Sequence, residues 1–297
     1  MRKQEDMGRR MLVVLSWSAA LLVPSLVVVL VAYLVWRSYP AWSLALFFGE
    51  TRVLDALRGV PVFDGLWPAC LGTLSLVFLS TGLAIPLGIA SGVHLAEYAG
   101  GRAKAVFSFC VDLLAGIPSI VMGLFGFTLI LFLRKTVAPG ANTGLLLSAG
   151  CLALLVLPYV ISTTRLAVEG LPNELRLAGA GLGMTRHQVV WRILLPAAVP
   201  GIVSGCVLAV GRAAEDTAVI LLTGVVANAG APSTLTGKYE ALPFQIYYLA
   251  AQYQTPAELN MAFAAALVLL CLTVLMLGLA RRLQLRHERK WKSGISL

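Results

Sequence analysis

The sequence has 297 residues, 59% of them hydrophobic and 12% charged, with a formal net charge of +9. Ordinary soluble domains carry about 25% charged residues, so too few polar side chains remain here to cover a water-exposed surface. That composition excludes a soluble enzyme or a basic nucleic-acid-binding domain and predicts an all-α, polytopic membrane protein.

A helix crosses a hydrocarbon core with about 20 apolar residues, and six such runs follow one another along the chain. The first, Met11–Trp36, is 26 residues long. A signal h-region has about 7–15 residues, so this run is predicted to stay in the mature protein. A mixed loop, Arg37–Ala69, leads to the second run, Cys70–Val93. A short turn, Glu97–Ala105, precedes the third, Val106–Leu133, and Arg134–Gly144 connects it to the fourth, Leu145–Thr164. Then comes a long polar stretch, Arg165–Ala198, before the fifth run, Pro200–Thr223. The segment Val225–Asn260 holds a semi-apolar piece, Leu242–Ala251, predicted to be an interfacial or re-entrant helix. The sixth run is Met261–Ala280. Every backbone polar group in lipid must be bonded within its own segment, so helices are the default. Nothing alternates with the ten-residue segments of a barrel. One membrane domain over 1–297 is predicted, with a core over about 70–280 and a cytoplasmic loop over 165–198.

Basic residues orient the chain. With the N-terminus inside, the inner segments hold 16 Lys and Arg and the outer ones hold 6: Arg37, Arg52, Arg58, Arg134, Lys135 and Lys238. Cytoplasmic loops carry the excess of positive charge, so both termini are predicted to be cytoplasmic.

Gly88/Gly92 and Gly201/Gly205 have the spacing that lets helices approach closely in lipid. Pro86 and Pro118 are predicted to interrupt spans two and three. The five cysteines (Cys70, Cys110, Cys151, Cys206, Cys271) lie singly in or beside spans and read as small apolar packing residues. Glu97 and Asp112, near span ends, read as interfacial caps or ion pairs. His94 reads as structural; His187, in the long loop, can reach a partner.

Within the loop, Pro172 suits the first turn of a helix. Leu171, Leu175, Ala178 and Leu182 then fall on one face, and Gly183 ends the helix as a residue tolerant of positive φ. A second amphipathic helix begins at Thr185, a suitable N-cap, and runs through Val189, Val190, Ile193 and Leu194 to Pro196. The pattern is a helix–turn–helix held at the membrane face.

The fifth run carries Arg212, Glu215, Asp216 and Thr217 inside otherwise apolar sequence. A charge near mid-bilayer costs at least about 2.5–3.5 kcal/mol. On a helix Arg212 reaches both Glu215 and Asp216. Two readings stand: a self-neutralising packing cluster, or a site on a substrate pathway. A guanidinium fork donates paired hydrogen bonds to two oxygens of a tetrahedral oxyanion, and a neighbouring carboxylate can exchange with the anion.

The loop resembles the EAA motif of ABC importer permeases. Ala178, Gly183, Ile193, Leu195 and Pro196 keep its spacing, while Leu177 stands where the family has Glu and Gly179 where it has a second Ala. Further stretches resemble phosphate permeases of the PstA/PstC type: Pro86-Leu-Gly-Ile with Leu95-Ala-Glu-Tyr98, Leu114 through Gly126, Arg212 to Thr217 with Leu221-Leu-Thr-Gly224, and Leu242-Pro-Phe-Gln-Ile246. Glu215 and Asp216 occupy positions where that family has Gly and Glu. The resemblance implies a permease subunit of an ATP-driven importer for inorganic phosphate in a bacterial inner membrane. It implies partners as well: a second homologous permease, two ATP-binding subunits and an external binding protein. Arg212, Glu215, Asp216 and Thr217 would then line the pathway, and Leu177, Ala178, Gly179, Gly183, His187, Ile193 and Pro196 would couple to the ATPase. No cofactor, metal or catalytic group is expected in this chain. No P-loop occurs, since the only Gly-Lys, Gly237-Lys238, precedes Tyr239, and ATP would bind the partner subunits. Another oxyanion (sulfate, molybdate or phosphonate) and a proton-driven transporter relaying through Glu215 and Asp216 remain as alternatives.

Overall fold

The computed structural model describes residues 2–49, 51, 53–57, 62 and 65–294; Arg52 and Arg58, counted above on the outer side, lie outside the described residues. The helices are α1 (Arg2–Ser38), α2 (Leu44–Phe48), α3 (Val53–Leu57), α4 (Trp67–Val93), α5 (Gly101–Ala115), α6 (Ser119–Thr136), α7 (Leu145–Glu169), α8 (Asn173–Gly181), α9 (Arg186–Val189), α10 (Leu195–Glu215), α11 (Ala218–Thr223), α12 (Leu242–Gln252) and α13 (Pro256–Gly294). Two π-helical turns extend this list: His94–Tyr98 continues α4, and Val190–Leu194 joins α9 to α10. Among the described residues the only β pairing is a single bridge, Val225 to Tyr239. Among the described residues, six stretches are long and apolar enough to cross a membrane: Met11–Ala41, Trp67–Tyr98, Ser119–Thr136, Leu145–Glu169, Arg186–Glu215 and Pro256–Arg282.

α7 is the central post. Its Leu152, Val156 and Val160 are fully buried, and α4, α5, α6, α10 and α11 all pack on it. Both glycine pairs lean on this helix. A Cβ at Gly88 would sit 2.6 Å from Val160 Cβ, one at Gly92 2.6 Å from Thr164 Cβ, and one at Gly201 2.6 Å from Ala167 Cβ. A Cβ at Gly205 would collide with Thr163. The small-residue spacing therefore sets the axial approach of α4 and α10 to the two sides of α7, with backbone close to backbone. α1 has no buried residue in its hydropathic window and touches α13. Its apolar outer surface is what a lipid solvent requires.

Three boundaries differ from the sequence expectation. The run Val106–Leu133 is two helices, because Gly116-Ile117-Pro118 breaks it. Pro118 is extended (ψ 139°) and serves as the N-cap of α6, its carbonyl accepting from the N–H groups of Val121 and Met122. A residue before proline avoids helical geometry, and Gly116 closes the last turn of α5. Pro86, by contrast, does not interrupt its span: α4 runs unbroken through it. Packing of Gly88 and Gly92 on α7, one turn further on, holds the helix across the missing hydrogen bond. The run Pro200–Thr223 also divides, at Asp216–Thr217 between α10 and α11. Among the cysteines, Cys70 and Cys151 are buried as packing residues and Cys206 is half-buried, whereas Cys110 and Cys271 lie on the outside of the bundle, where an apolar surface equally accepts a thiol.

The end opposite α8–α9 is closed by the chain's return after α11. The N–H of Gly144 donates to the Thr223 carbonyl (2.9 Å), and those of Leu145 and Leu146 donate to Gly237 (3.1 Å) and Leu235 (2.7 Å). Glu240 is buried and accepts from the Gly230 N–H at 2.7 Å. The expected helix Leu242–Ala251 is present as α12, its first N–H donating to Thr73 Oγ1 at 2.9 Å. α12 packs between α4 and α13.

Candidate functional site

The charged cluster in the fifth span falls at the break between α10 and α11. Arg212 sits in the last turn of α10 with its side chain 42% exposed, and its Nη2 lies 3.4 Å from Oδ2 of Asp216, whose side chain is 2% exposed. The other carboxylate oxygen of Asp216 accepts the backbone N–H of Val219 at 3.0 Å. One acid thus does two things: it satisfies an orphan donor at the start of α11 and it steadies the guanidinium. Glu215 is exposed, and Arg212 pairs with Asp216 and not with it. The expectation that Arg212 reaches both acids is therefore corrected. With the helix ending at Glu215, the i+3 geometry survives but the half-exposed guanidinium is drawn to the buried acid at the break. Thr217 is half-buried beside it, and its carbonyl accepts the Leu221 N–H.

The break is held by close packing against α6. A Cβ at Gly123 would approach the Ala218 carbonyl to 2.9 Å, and one at Gly126 would approach Thr223 Cγ2 to 2.9 Å. α11 is therefore pressed on the helix that begins at the other broken span. Two spans that cannot continue as regular helices support one another, and the half-exposed Arg212 lies at one of the breaks. Broken spans around a charged residue are how membrane proteins build polar ligand sites at depth.

At the opposite end of α10 stands the two-helix loop. Thr185 forms a full capping box with Gln188: its Oγ1 accepts the Gln188 N–H, and Gln188 Oε1 accepts the Thr185 N–H at 2.9 Å. Gly183 has φ +72°, as its predicted role requires. Pro172 is the N-cap of α8 and not its first helical residue. The inward face of α8 also differs from expectation. Leu171, Leu175 and Gly179 face the bundle, while Ala178 and Leu182 point outward. Gly179 decides this register: a Cβ there would sit 2.7 Å from Val189 Cγ2 and 3.1 Å from Ile193 Cδ1, so α8 seats its glycine on α9. The outward face then presents Leu177 (71% exposed), Leu182 (79%) and Trp191, with His187 exposed beside Trp191. Pro196 does not end the second helix. The π-helical turn Val190–Leu194 absorbs the donor missing at Pro196, and the helix continues into the fifth span, so Arg186–Glu215 is one rod. π-bulges are the recognised way to carry an irregularity through a helix without stopping it.

Arg176 and Arg186, two of the 16 inner basic residues, both join the loop to the end of α4. Arg176 pairs with buried Glu97 (Nη2–Oε1 2.6 Å), which bears out the ion-pair reading of Glu97. Arg186 donates to the Glu97 carbonyl and lies over the Tyr98 ring at 5.5 Å. The available signal was a lone acid at a span end in a charge-poor chain, which must find a cation. Asp112, read the same way, is exposed and has no ion pair among the described residues. His94 stacks on Tyr98.

A helical bundle with a charged break in one span, and a capped two-helix loop rigidly continuous with that span, is the architecture of a membrane-embedded component of a transport system. Residues 84–289 match the family described as the binding-protein-dependent transport system inner membrane component, and the chain belongs to that family. It is 34% identical over 257 residues to the phosphate transport system permease protein PstA of Haemophilus influenzae, covering 86% of each chain. It is 36% identical over 195 residues to phosphate transport system permease protein PstA 1 of Mycobacterium tuberculosis, a match spanning 65% of this chain and 62% of that one. In fold it is similar to a chain of the MetNI methionine ABC transporter in an inward-facing conformation (TM-score 0.59, 22% identity, 80% of this chain and 99% of that one). It is likewise similar to a chain of a bacterial alginate ABC transporter (TM-score 0.59, 18% identity, 96% and 99%).

Proposed function

We propose that this chain is a membrane-spanning permease subunit of an ATP-driven importer of inorganic phosphate. The observation that carries the proposal is Arg212: a half-exposed guanidinium at a break in a span, steadied at 3.4 Å by a buried acid. An unpaired cation at that depth would bind a multivalent anion too tightly to release it, and Asp216 offers an internal competitor that takes the guanidinium back. The relatives named as phosphate permeases, at 34–36% identity, support phosphate over other oxyanions. Arg212, Asp216 and Thr217 would meet the anion, and exposed Glu215 would face the second permease. The loop face Leu177, Ala178, Gly183 and His187 would dock on one of two ATP-binding subunits in the cytoplasm, with Gly179, Ile193 and Pro196 shaping it from behind. An external binding protein would deliver the anion at the opposite end. ATP is bound and hydrolysed by the partners, and both termini are cytoplasmic.

The test is ATP hydrolysis by the complex purified in lipid with its binding protein, during titration with phosphate, sulfate and molybdate. Stimulation by phosphate alone supports the proposal. Stimulation by another oxyanion keeps the mechanism and moves the substrate. Absence of any copurifying ATPase refutes it.

A further inference from the structure

The loop α8–α9 is fastened to the bundle by polar contacts at Glu97–Tyr98 and at the end of α7, where the surroundings are apolar. Glu97 is buried. A buried carboxylate is costly unless paired and hydrogen-bonded, and Glu97 receives both Nε (3.1 Å) and Nη2 (2.6 Å) of Arg176 on one oxygen. The remaining donors of Arg176 are also taken: by the carbonyls of Leu171 (3.0 Å) and Val168 (2.9 Å) and by Asn173 Oδ1 (3.4 Å). All five N–H groups of a guanidinium thus have acceptors. Val168 lies in the last turn of α7 and Leu171 just past its cap, where free carbonyls and the helix dipole favour a cation. A single side chain on α8 therefore holds α4 by its acid and α7 by its carbonyls. The backbone carbonyl of the same Glu97 accepts from Arg186, the first residue of α9. Tyr98 supports that guanidinium with its ring face and stands 3.4 Å from His187 Nδ1 through its hydroxyl.

Beneath this polar layer the loop rests on Val93, Val168, Val189, Val190 and Leu194. Gly179 packed on Val189 sets the register of α8 on α9, but this apolar contact does not bind the pair of helices directionally to the ends of α4 and α7. A planar fork with five fixed donors does. We infer that Glu97 and Arg176 form a register clamp which makes the loop a rigid block with α4, α7 and the α9–α10 rod. A displacement applied at Leu177, Leu182 and Trp191 then moves the spans and does not merely bend the loop. The two residues are positioning residues, far along the rod from Arg212. The inference rests on the proposed importer role for its consequence, but its structural half stands without it.

The experiment has two arms on the full chain. In lipid nanodiscs, hydrogen exchange of the amides in 173–189 is compared between the wild type and Glu97→Gln, which keeps the side chain's shape and loses its charge. Exchange faster by about tenfold or more is expected, the factor that loss of a charge-assisted hydrogen bond implies. Unchanged exchange overturns the clamp, whatever the chain transports. In the assembled complex, the ratio of phosphate-stimulated to basal ATP hydrolysis is measured for Glu97→Gln, Arg176→Lys and the double variant Glu97→Met/Arg176→Met. The ratio is expected to fall several-fold in all three, with basal hydrolysis and the phosphate concentration for half-maximal stimulation unchanged. The double variant refills the buried volume, and such replacements commonly preserve the fold. If it couples like the wild type, the pair is only packing and the clamp is wrong. A wild-type complex that phosphate does not stimulate refutes the importer reading instead, and the exchange arm then decides the clamp alone.

Discussion

Arg212 and Asp216 divide their labour unequally. The acid is almost wholly buried and has a second, backbone partner in Val219; the cation is 42% exposed and has, among the described residues, the acid alone. The pair can therefore open on one side without unfolding the break. Replacing Arg212 by Ala is expected to abolish uptake while the complex still assembles, and Arg212→Lys is expected to leave a small fraction of the rate, since an ammonium lacks the bidentate fork. Uptake of labelled phosphate in proteoliposomes checks both; wild-type uptake by the Ala variant would remove Arg212 from the pathway. Asp216→Ala acts differently. It strips the start of α11 of its acceptor and leaves a buried N–H unsatisfied, at a cost of about 1–3 kcal/mol. The expected result is a lower thermal midpoint in detergent as well as lost transport; Arg212→Ala lowers the midpoint too, because it leaves the buried Asp216 carboxylate without its cation. Exposed Glu215 has no such structural duty, so Glu215→Gln is expected to leave the midpoint unchanged.

Among the elements, the loop shows what periodicity can and cannot specify. Its boundaries follow from local chemistry: Thr185 and Gln188 make the predicted cap, and Gly183 takes the predicted positive φ. Its inward face does not follow from apolarity, because the residue that seats α8 is Gly179, which carries no hydrophobic signal at all. The resembling family places Ala at this position. In this chain a Cβ there meets Val189 at 2.7 Å, so Gly179→Ala is expected to destabilise the loop by about 1–3 kcal/mol through overpacking. Adding Val189→Ala should recover most of the loss. Proteolysis of the loop in membranes reads both, and a Gly179→Ala chain as resistant as the wild type would show that α8 shifts freely. The same distinction governs the broken spans. Pro118 and Pro86 look alike in sequence. The break at Pro118 is made with Gly116 before it, and α4 is carried through Pro86 by the packing of Gly88 and Gly92 on α7. Span number, helical class and the identity of the charged cluster are local properties and were legible. The partner of Glu97, the side on which Arg212 finds its acid and the continuity of α9 with α10 depend on residues that meet only in the folded bundle.

Over the whole molecule, that continuity joins the two candidate sites. Arg186 lies 26 steps before Arg212 along one helix, about 39 Å at 1.5 Å per residue, with the π-helical turn Val190–Leu194 and Pro196 near its loop end. The rod meets α7 through its own Gly201 and Gly205, whose close approach to Ala167 and Thr163 seats it against that helix. A push at the loop can thus reach the Arg212–Asp216 pair by rigid displacement, with no relay of side chains needed. Coupling carried by a rigid element is tested by breaking the element and leaving both ends intact. Two glycines inserted between Leu194 and Leu195 add flexible backbone, since each glycine disfavours helix by about 1 kcal/mol, and they rotate the loop by roughly 200° relative to the span if the helix persists. The expected outcome is a complex that assembles and hydrolyses ATP at its basal rate but neither imports phosphate nor responds to it. Retained uptake would mean that displacement enters the bundle through α4 and α7 instead, the route that the Glu97–Arg176 clamp leaves open, and the fifth span would then follow its neighbours and not drive them.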